Sequence, residues 1–229
     1  MSYDAGQHGI AQQHFTLALR LAKAADDRLY GAHLLANLAT QAVYLGHAPN
    51  ATRLAEAAID GAGRAPAAVR ARLYTTVASA YGRSGERRAC QTALGRAERA
   101  IDRASPGEGP RWVGYFSPAH VAGSAIRSLS DLRLYRQALR HASDAITVGQ
   151  HNARTRVLHT ALIAMTHAQA GDVDAACAWG VELAEQTPAV DSARVAHRVR
   201  ELAAALNPYL ANPQVADLLH GLRSNLRRE

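Results

Sequence analysis

Small apolar and polar positions recur along this chain in a repeating order: a glycine, then small or apolar residues five, nine and twelve places later. Gly6 is followed in this way by Ala11, Phe15 and Ala18, and Gly46 by Ala51, Ala55 and Ala58. Gly85 is followed by Cys90, Leu94 and Ala97, and Gly171 by Ala176, Gly180 and Leu183. Between the last two, "DLRLYRQALRHASDAI" places Ala138, Ala142 and Ala145 at the same offsets, with Arg133 where the glycine should stand. The successive intervals are 40, 39, 48 and 38 residues. Offsets of five, nine and twelve fall on one helical stripe, and small residues there let two helices approach closely. The glycine fits the positive φ of a helix C-cap in the turn before the stripe.

A partner helix precedes each glycine. "GAHLLANLATQAVYL" carries Leu35, Leu38, Ala39 and Ala42 at eleven, eight, seven and four residues before Gly46. "ARLYTTVASAYGRS" carries Tyr74, Val77, Ala78 and Tyr81 at the same distances before Gly85. "HVAGSAIRSL" keeps the small position poorly, and "LHTALIAMTHAQAG" keeps Ile163, Ala164 and His167. This spacing resembles the tetratricopeptide repeat, although the intervals exceed its usual length. The pattern predicts an all-α, right-handed α-solenoid of about 11 helices, spanning 9–25, 28–45, 49–62, 67–84, 87–103, 118–130, 134–149, 153–170, 174–187, 191–206 and 213–227. Residues 1–25 read as the second helix of a repeat without its first. Helix pairs follow at 28–62, 67–103, 118–149 and 153–187, with an insert at 104–117 and a C-terminal pair or cap at 191–227. "NPYLANP" breaks that last pair with two prolines.

Composition agrees: 48% of residues are hydrophobic and only 5% aromatic, with alanine and leucine, both strong helix formers, dominating. No run approaches the length of a membrane span, and the N-terminus lacks a signal peptide's charged and apolar regions, so a soluble, cytoplasmic protein is expected, with no membrane partner. The net charge of +7 comes almost wholly from arginine, Lys23 being the single lysine. The arginines are scattered over helix faces, with "LRSNLRRE" at the end the only local cluster, so direct DNA binding is not expected from the sequence. Cys90 and Cys177 lie far apart within helical patterns and read as buried small residues, with no zinc or redox spacing.

A more specific resemblance lies in Tyr3, Asp4, Ala5, Gly6, Ala11, Gln12, Phe15 and the run from Ala18 to Ala22. It continues through "QAVYLGH" (41–47), "RWVGYF" (111–116), "YRQAL" (135–139) and "RVRE" (198–201). In order and spacing these resemble the C-terminal tetratricopeptide-like region of actinobacterial transcriptional regulators whose N-terminal domain is a λ-repressor-like helix-turn-helix. The few residues ahead of the predicted solenoid do not read as such a domain, so none is expected in this sequence. The resemblance implies a sensor and oligomerisation region, or a free-standing relative, with DNA contacted only through the absent helix-turn-helix domain.

No catalytic constellation stands out: GxSxG, HExxH, P-loop and GxGxxG are all missing, and the chain is expected not to be an enzyme or to hold a cofactor. His8 and His14 are six apart, and His159 and His167 eight, neither being the i, i+4 spacing that aims two imidazoles at one metal ion. Asp26, Asp27, Asp172 and Asp174 stand where helix caps belong. A binding groove is the better reading. Positions off the packing stripe of the first helices give His33, Asn37, Thr40 and Tyr44, then Arg72, Thr76, Ser79 and Arg83, then His120, Ser124 and Arg127. Such residues suit an extended peptide, through amide hydrogen bonds and charge-assisted contacts to carboxylates. The same positions could equally be solvated helix faces. In the insert, Trp112, Tyr115 and Phe116 would share one face of a helical turn, either plugging the core or forming an aromatic wall for a ligand. The expected function is protein or peptide binding. The alternatives are a free-standing adaptor, perhaps serving a biosynthetic partner, and a homodimer whose terminal half repeats cover each other.

Overall fold

The computed structural model describes residues 5–149, 152–187 and 192–226, the side chains of 223–226 excepted. Tyr3 and Asp4 of the resemblance motif, the helix start expected at 191, the end of the last expected helix and most of the basic tail lie outside them. The described residues contain no strand and twelve α-helices. These are α1 His8–Ala24, α2 Arg28–Tyr44, α3 Ala48–Gly61, α4 Ala67–Ser84, α5 Arg87–Ile101, α6 Pro118–Asp131, α7 Tyr135–Leu139, α8 Ala142–Ala145, α9 Ala153–Ala170, α10 Val173–Gln186, α11 Ala193–Leu206 and α12 Pro213–Leu226. None of the helices in the described residues is long and apolar enough to cross a membrane.

One expected helix divides in two. Residues 134–149 form α7 and α8, because Arg140 N–H and His141 N–H turn to carbonyls three residues back, at Gln137 and Ala138. That tightening breaks the α-helical ladder. Ala138 and Ala145 remain fully buried on either side of the break, so the small-residue stripe survives it.

The turns follow one design. Gly46, Gly85 and Gly171 have φ of 80°, 79° and 82°, and Arg133, in the position without glycine, has φ of 58°. At each, the next residue's N–H reaches five residues back: His47 to Ala42, Glu86 to Tyr81, Leu134 to Leu129 and Asp172 to His167. This is the Schellman closure, which satisfies carbonyls that a helix end leaves open. Asp26 (φ 51°) closes α1 in the same way, Asp27 N–H bonding to the Ala22 carbonyl. Asp27 and Asp172 then cap the following helices, accepting from Tyr30 N–H and Ala175 N–H.

The stripes are the contact faces. Ala51, Ala55, Ala58, Cys90, Leu94, Ala97, Ala176 and Leu183 are all buried. The helices form two ranks. In the inner rank α2, α4, α6, α9 and α11 each touch the next, while α1, α3, α5, α7 with α8, α10 and α12 back them from outside. Glycine is indispensable where neighbouring helices of the inner rank press closest. A Cβ on Gly82 would lie 2.7 Å from the Ser128 carbonyl oxygen, and one on Gly123 would overlap the His159 ring.

The inner rank curls until its ends meet. The Tyr44 ring of α2 lies 5.1 Å from the His197 ring of α11, and the Arg198 guanidinium sits 5.8 Å from the same tyrosine ring. At the outer start, α1 lies along α2 with Ile10, Leu17 and Leu21 exposed at 47, 56 and 62%. Both cysteines are buried thiols, and burial pushes that of Cys90 up to about 11.

Candidate binding cavity

The ring of inner helices lines an open cavity of about 460 Å³. Its wall takes Thr40 and Tyr44 from α2, Thr76 and Ser79 from α4, and His120, Ser124 and Arg127 from α6. Tyr115 and Phe116 enter from the insert, Arg154, Thr155, Leu158 and His159 from α9, and Arg194 and Arg198 from α11. A smaller cavity of about 220 Å³ adjoins it, sharing Tyr44, Arg127 and Arg198 and adding Arg83, Asp131, His197 and Glu201.

The local sequence explains the orientation of these groups. Pro118 and Ser117 start α6, and the Ser117 N–H donates to His120 Nδ1 at 3.3 Å, with Ser117 Oγ 2.9 Å from the same nitrogen. A proton then resides on His120 Nε2, which is buried and has no hydrogen-bond partner among the described residues. Burial, with nearby His159, brings the His120 pKa down to about 4, so the ring is a neutral donor at physiological pH. His159 donates from Nδ1 to the Ala145 carbonyl at 2.7 Å, and burial lowers its pKa too. Its ring lies on Gly123, the one inner-helix position where the missing Cβ makes room for it.

The hydroxyls play a different part. Thr40, Thr76 and Ser124 donate to the carbonyls of Ala36, Arg72 and His120 on their own helices. Each therefore offers the cavity only oxygen lone pairs. The wall thus combines acceptors for amide N–H groups with four guanidiniums, Arg127, Arg154, Arg194 and Arg198. No carboxylate lines the larger cavity among the described residues. Arg198 pairs with Glu201, at the edge shared with the smaller one.

The groove residues expected from the sequence separate into two groups. Thr40, Tyr44, Thr76, Ser79, His120, Ser124 and Arg127 come together around the larger cavity, and Arg83 lines the smaller one. His33, Asn37 and Arg72 lie away from both, in a chain of hydrogen bonds beneath the insert. Arg72 donates from Nη2 to Asn37 Oδ1 at 2.6 Å and from Nε to the Tyr115 hydroxyl at 3.2 Å, and Asn37 Nδ2 donates to His33 Nε2 at 3.1 Å. Burial and the Arg72 charge hold His33 at about 4.

The three insert aromatics do not share a face. Arg111–Val113 forms a 3₁₀ turn, and Val113, not the aromatics, is the fully buried residue. Trp112 packs 4.3 Å from the His33 ring, covering α2. Phe116 joins the core near Tyr74 and also reaches the cavity, and Tyr115 stands at its rim. The insert is thus partly plug and partly wall. The cavity residues of α9 and α11 are not among the positions expected from the first three inner helices. The distances at which His33, Asn37, Thr40 and Tyr44 precede Gly46 give Leu158, Leu162, Met165 and Gln169 before Gly171, all of which line one cavity or the other. Arg154 stands one turn earlier, and no glycine follows α11 to place Arg194 and Arg198.

Among the described residues no three of His, Cys, Asp or Glu come close enough to hold a metal ion. No family model matches the chain, and no curated protein matches it.

Proposed function

We propose that this chain is a non-enzymatic, tetratricopeptide-like solenoid that binds the carboxylate-bearing end of a peptide, or a peptide-like small acid, inside its ring. The observation that carries the reading is the wall of the 460 Å³ cavity, where the guanidiniums of three helices and the buried His120 Nε2–H stand beside hydroxyl acceptors and aromatic edges. A volume of this size suits a drug-sized ligand or a chain terminus better than a long extended segment. Guanidiniums recognise carboxylates in a paired geometry, and hydroxyl oxygens accept from peptide N–H groups. The resemblance to helix-turn-helix regulators supports placing this binding region in a transcriptional regulator, as its sensor and oligomerisation half.

The test is calorimetric titration with a tetrapeptide pool carrying free C-terminal carboxylates and with the same pool amidated. The free-acid pool is expected to bind about tenfold or more tightly, the scale of one charge-assisted hydrogen bond. Replacing Arg127 and Arg154 by alanine should remove that preference. Equal binding of both pools, or a preference that survives the double substitution, would overturn the reading. The adaptor alternative draws on the exposed stripe of Ile10, Leu17 and Leu21 on α1. Under it, Leu17→Glu with Leu21→Glu would abolish binding of a protein partner, and neither peptide pool would bind.

A further inference from the structure

The outer face of the α4–α5 hairpin carries a second concentration of charge, which the scattered arginines of the sequence conceal. Arg70 and Tyr74 of α4 line a depression of about 240 Å³ together with Arg96, Arg99 and Arg103. Arg96, Arg99 and Arg103 follow one another at i, i+3 and i+7, so they share one face of α5 and its extension. All four arginines are exposed. The Arg96 guanidinium lies 5.8 Å from the centre of the Tyr74 ring. Among the described residues no carboxylate pairs with any of the four, and none lines the depression, although Glu98 and Asp102 are their neighbours in sequence.

Helix electrostatics explains only half of this cluster. Arg99 and Arg103 complement the negative end of α5. Arg70 does the opposite: it stands in the first turn of α4, at a positive helix end, where no acidic residue compensates it. Folding therefore brings a fourth cation to three others at an unfavourable position, and an anion is the group that relieves it. The exposed large apolar side chains lie on other elements, none on α4 or α5. A protein interface needs a desolvated apolar centre, and this patch offers charge, guanidinium forks and one aromatic edge.

The geometry points to the phosphodiester backbone of duplex nucleic acid as the partner of this patch, held through phosphates and without reading bases. This goes beyond the ligand cavity, which lies on the inner side of the ring, and does not depend on it.

The full chain should be titrated with a fluorescent 20-base-pair duplex of arbitrary sequence at several salt concentrations. Four phosphate contacts predict a log K against log salt slope of about −3.6, or roughly a 150-fold loss between about 50 and about 200 mM salt. The variant R70A/R96A/R99A/R103A should lose most of the slope. A variant with the same charge change spread over other exposed positions, R20A/R53A/R136A/R200A, should stay near the parent. Matching thermal unfolding of the three proteins establishes that each is folded. No duplex binding by the parent at about 50 mM salt overturns the inference, as does equal loss in the two variants, which would reduce the effect to net charge. Polyglutamate of equal charge binding the parent more tightly than the duplex, and lost with the patch, would assign the patch to an acidic protein instead.

Discussion

Three imidazoles sit where protonation is unfavourable, and they give the fold an acid limit. His33 and His120 have pKa values near 4 in the folded chain against 6.5 for an unperturbed ring, and His159 is lowered as well. Below about pH 6.5 the unfolded chain takes up protons that the folded chain refuses. Stability is therefore full above that pH and falls steadily as pH drops from about 6.5 towards 4. Allowing for their partial exposure, His33 and His120 should cost about 1 kcal/mol each across that window. Urea unfolding at pH 7 and pH 5 measures it, and His120→Asn with His33→Gln, which keep an acceptor without a titrating ring, should flatten the difference. Steric fit sets a second limit. Gly82→Ala meets the Ser128 carbonyl, a backbone atom that cannot swing aside, and should cost about 2–3 kcal/mol. Gly180→Ala meets only the Leu218 methyl end and should cost about 1 kcal/mol in the same unfolding experiment.

At the scale of elements, the turns set the spacing of the whole chain, and one of them departs from glycine. Arg133 holds φ of 58°, a conformation that costs an L-residue about 1 kcal/mol. Arg133→Gly should raise stability by about 0.5 kcal/mol once glycine's extra unfolded-state freedom is counted, and Gly85→Ala should lower it by about 1 kcal/mol. Thermal melts of the two variants should move in opposite directions. These turns were legible in the sequence because a five-residue closure needs one positive φ at a fixed place, and glycine or its gap marks it. The helices were legible for the same reason, through their small-residue stripes. The break between α7 and α8 was not, since alanines suit either an α-helix or a tighter turn. The insert was legible as an insert but not in its path. Trp112 covers the first half of α2 and draws His33, Asn37 and Arg72 under it, so residues in register with Thr40 and Thr76 end in a different environment. Periodicity specifies a face, while a loop decides what lies over it.

For the whole molecule, the meeting of α2 and α11 turns a row of polar side chains into the wall of a cavity open to solvent. Curvature sums small rotations between neighbouring hairpins, and no single residue encodes it. The sequence therefore points to the lining residues of three helices but not to the contact between the ends. Tyr44 makes that contact, through its ring against His8, His197 and Arg198. Tyr44→Ala should cost about 2 kcal/mol, from aromatic and cation–π contacts, and should raise amide hydrogen exchange in α11 more than in α4. An open stack of hairpins can gain or lose a unit cheaply, because each unit touches only its neighbours. Here the first inner helix already abuts the last. One more hairpin would have to part Tyr44 from His197, and one fewer would leave the two out of reach. A hairpin duplicated or lost between these two helices would therefore cost the molecule the contact that closes its ring.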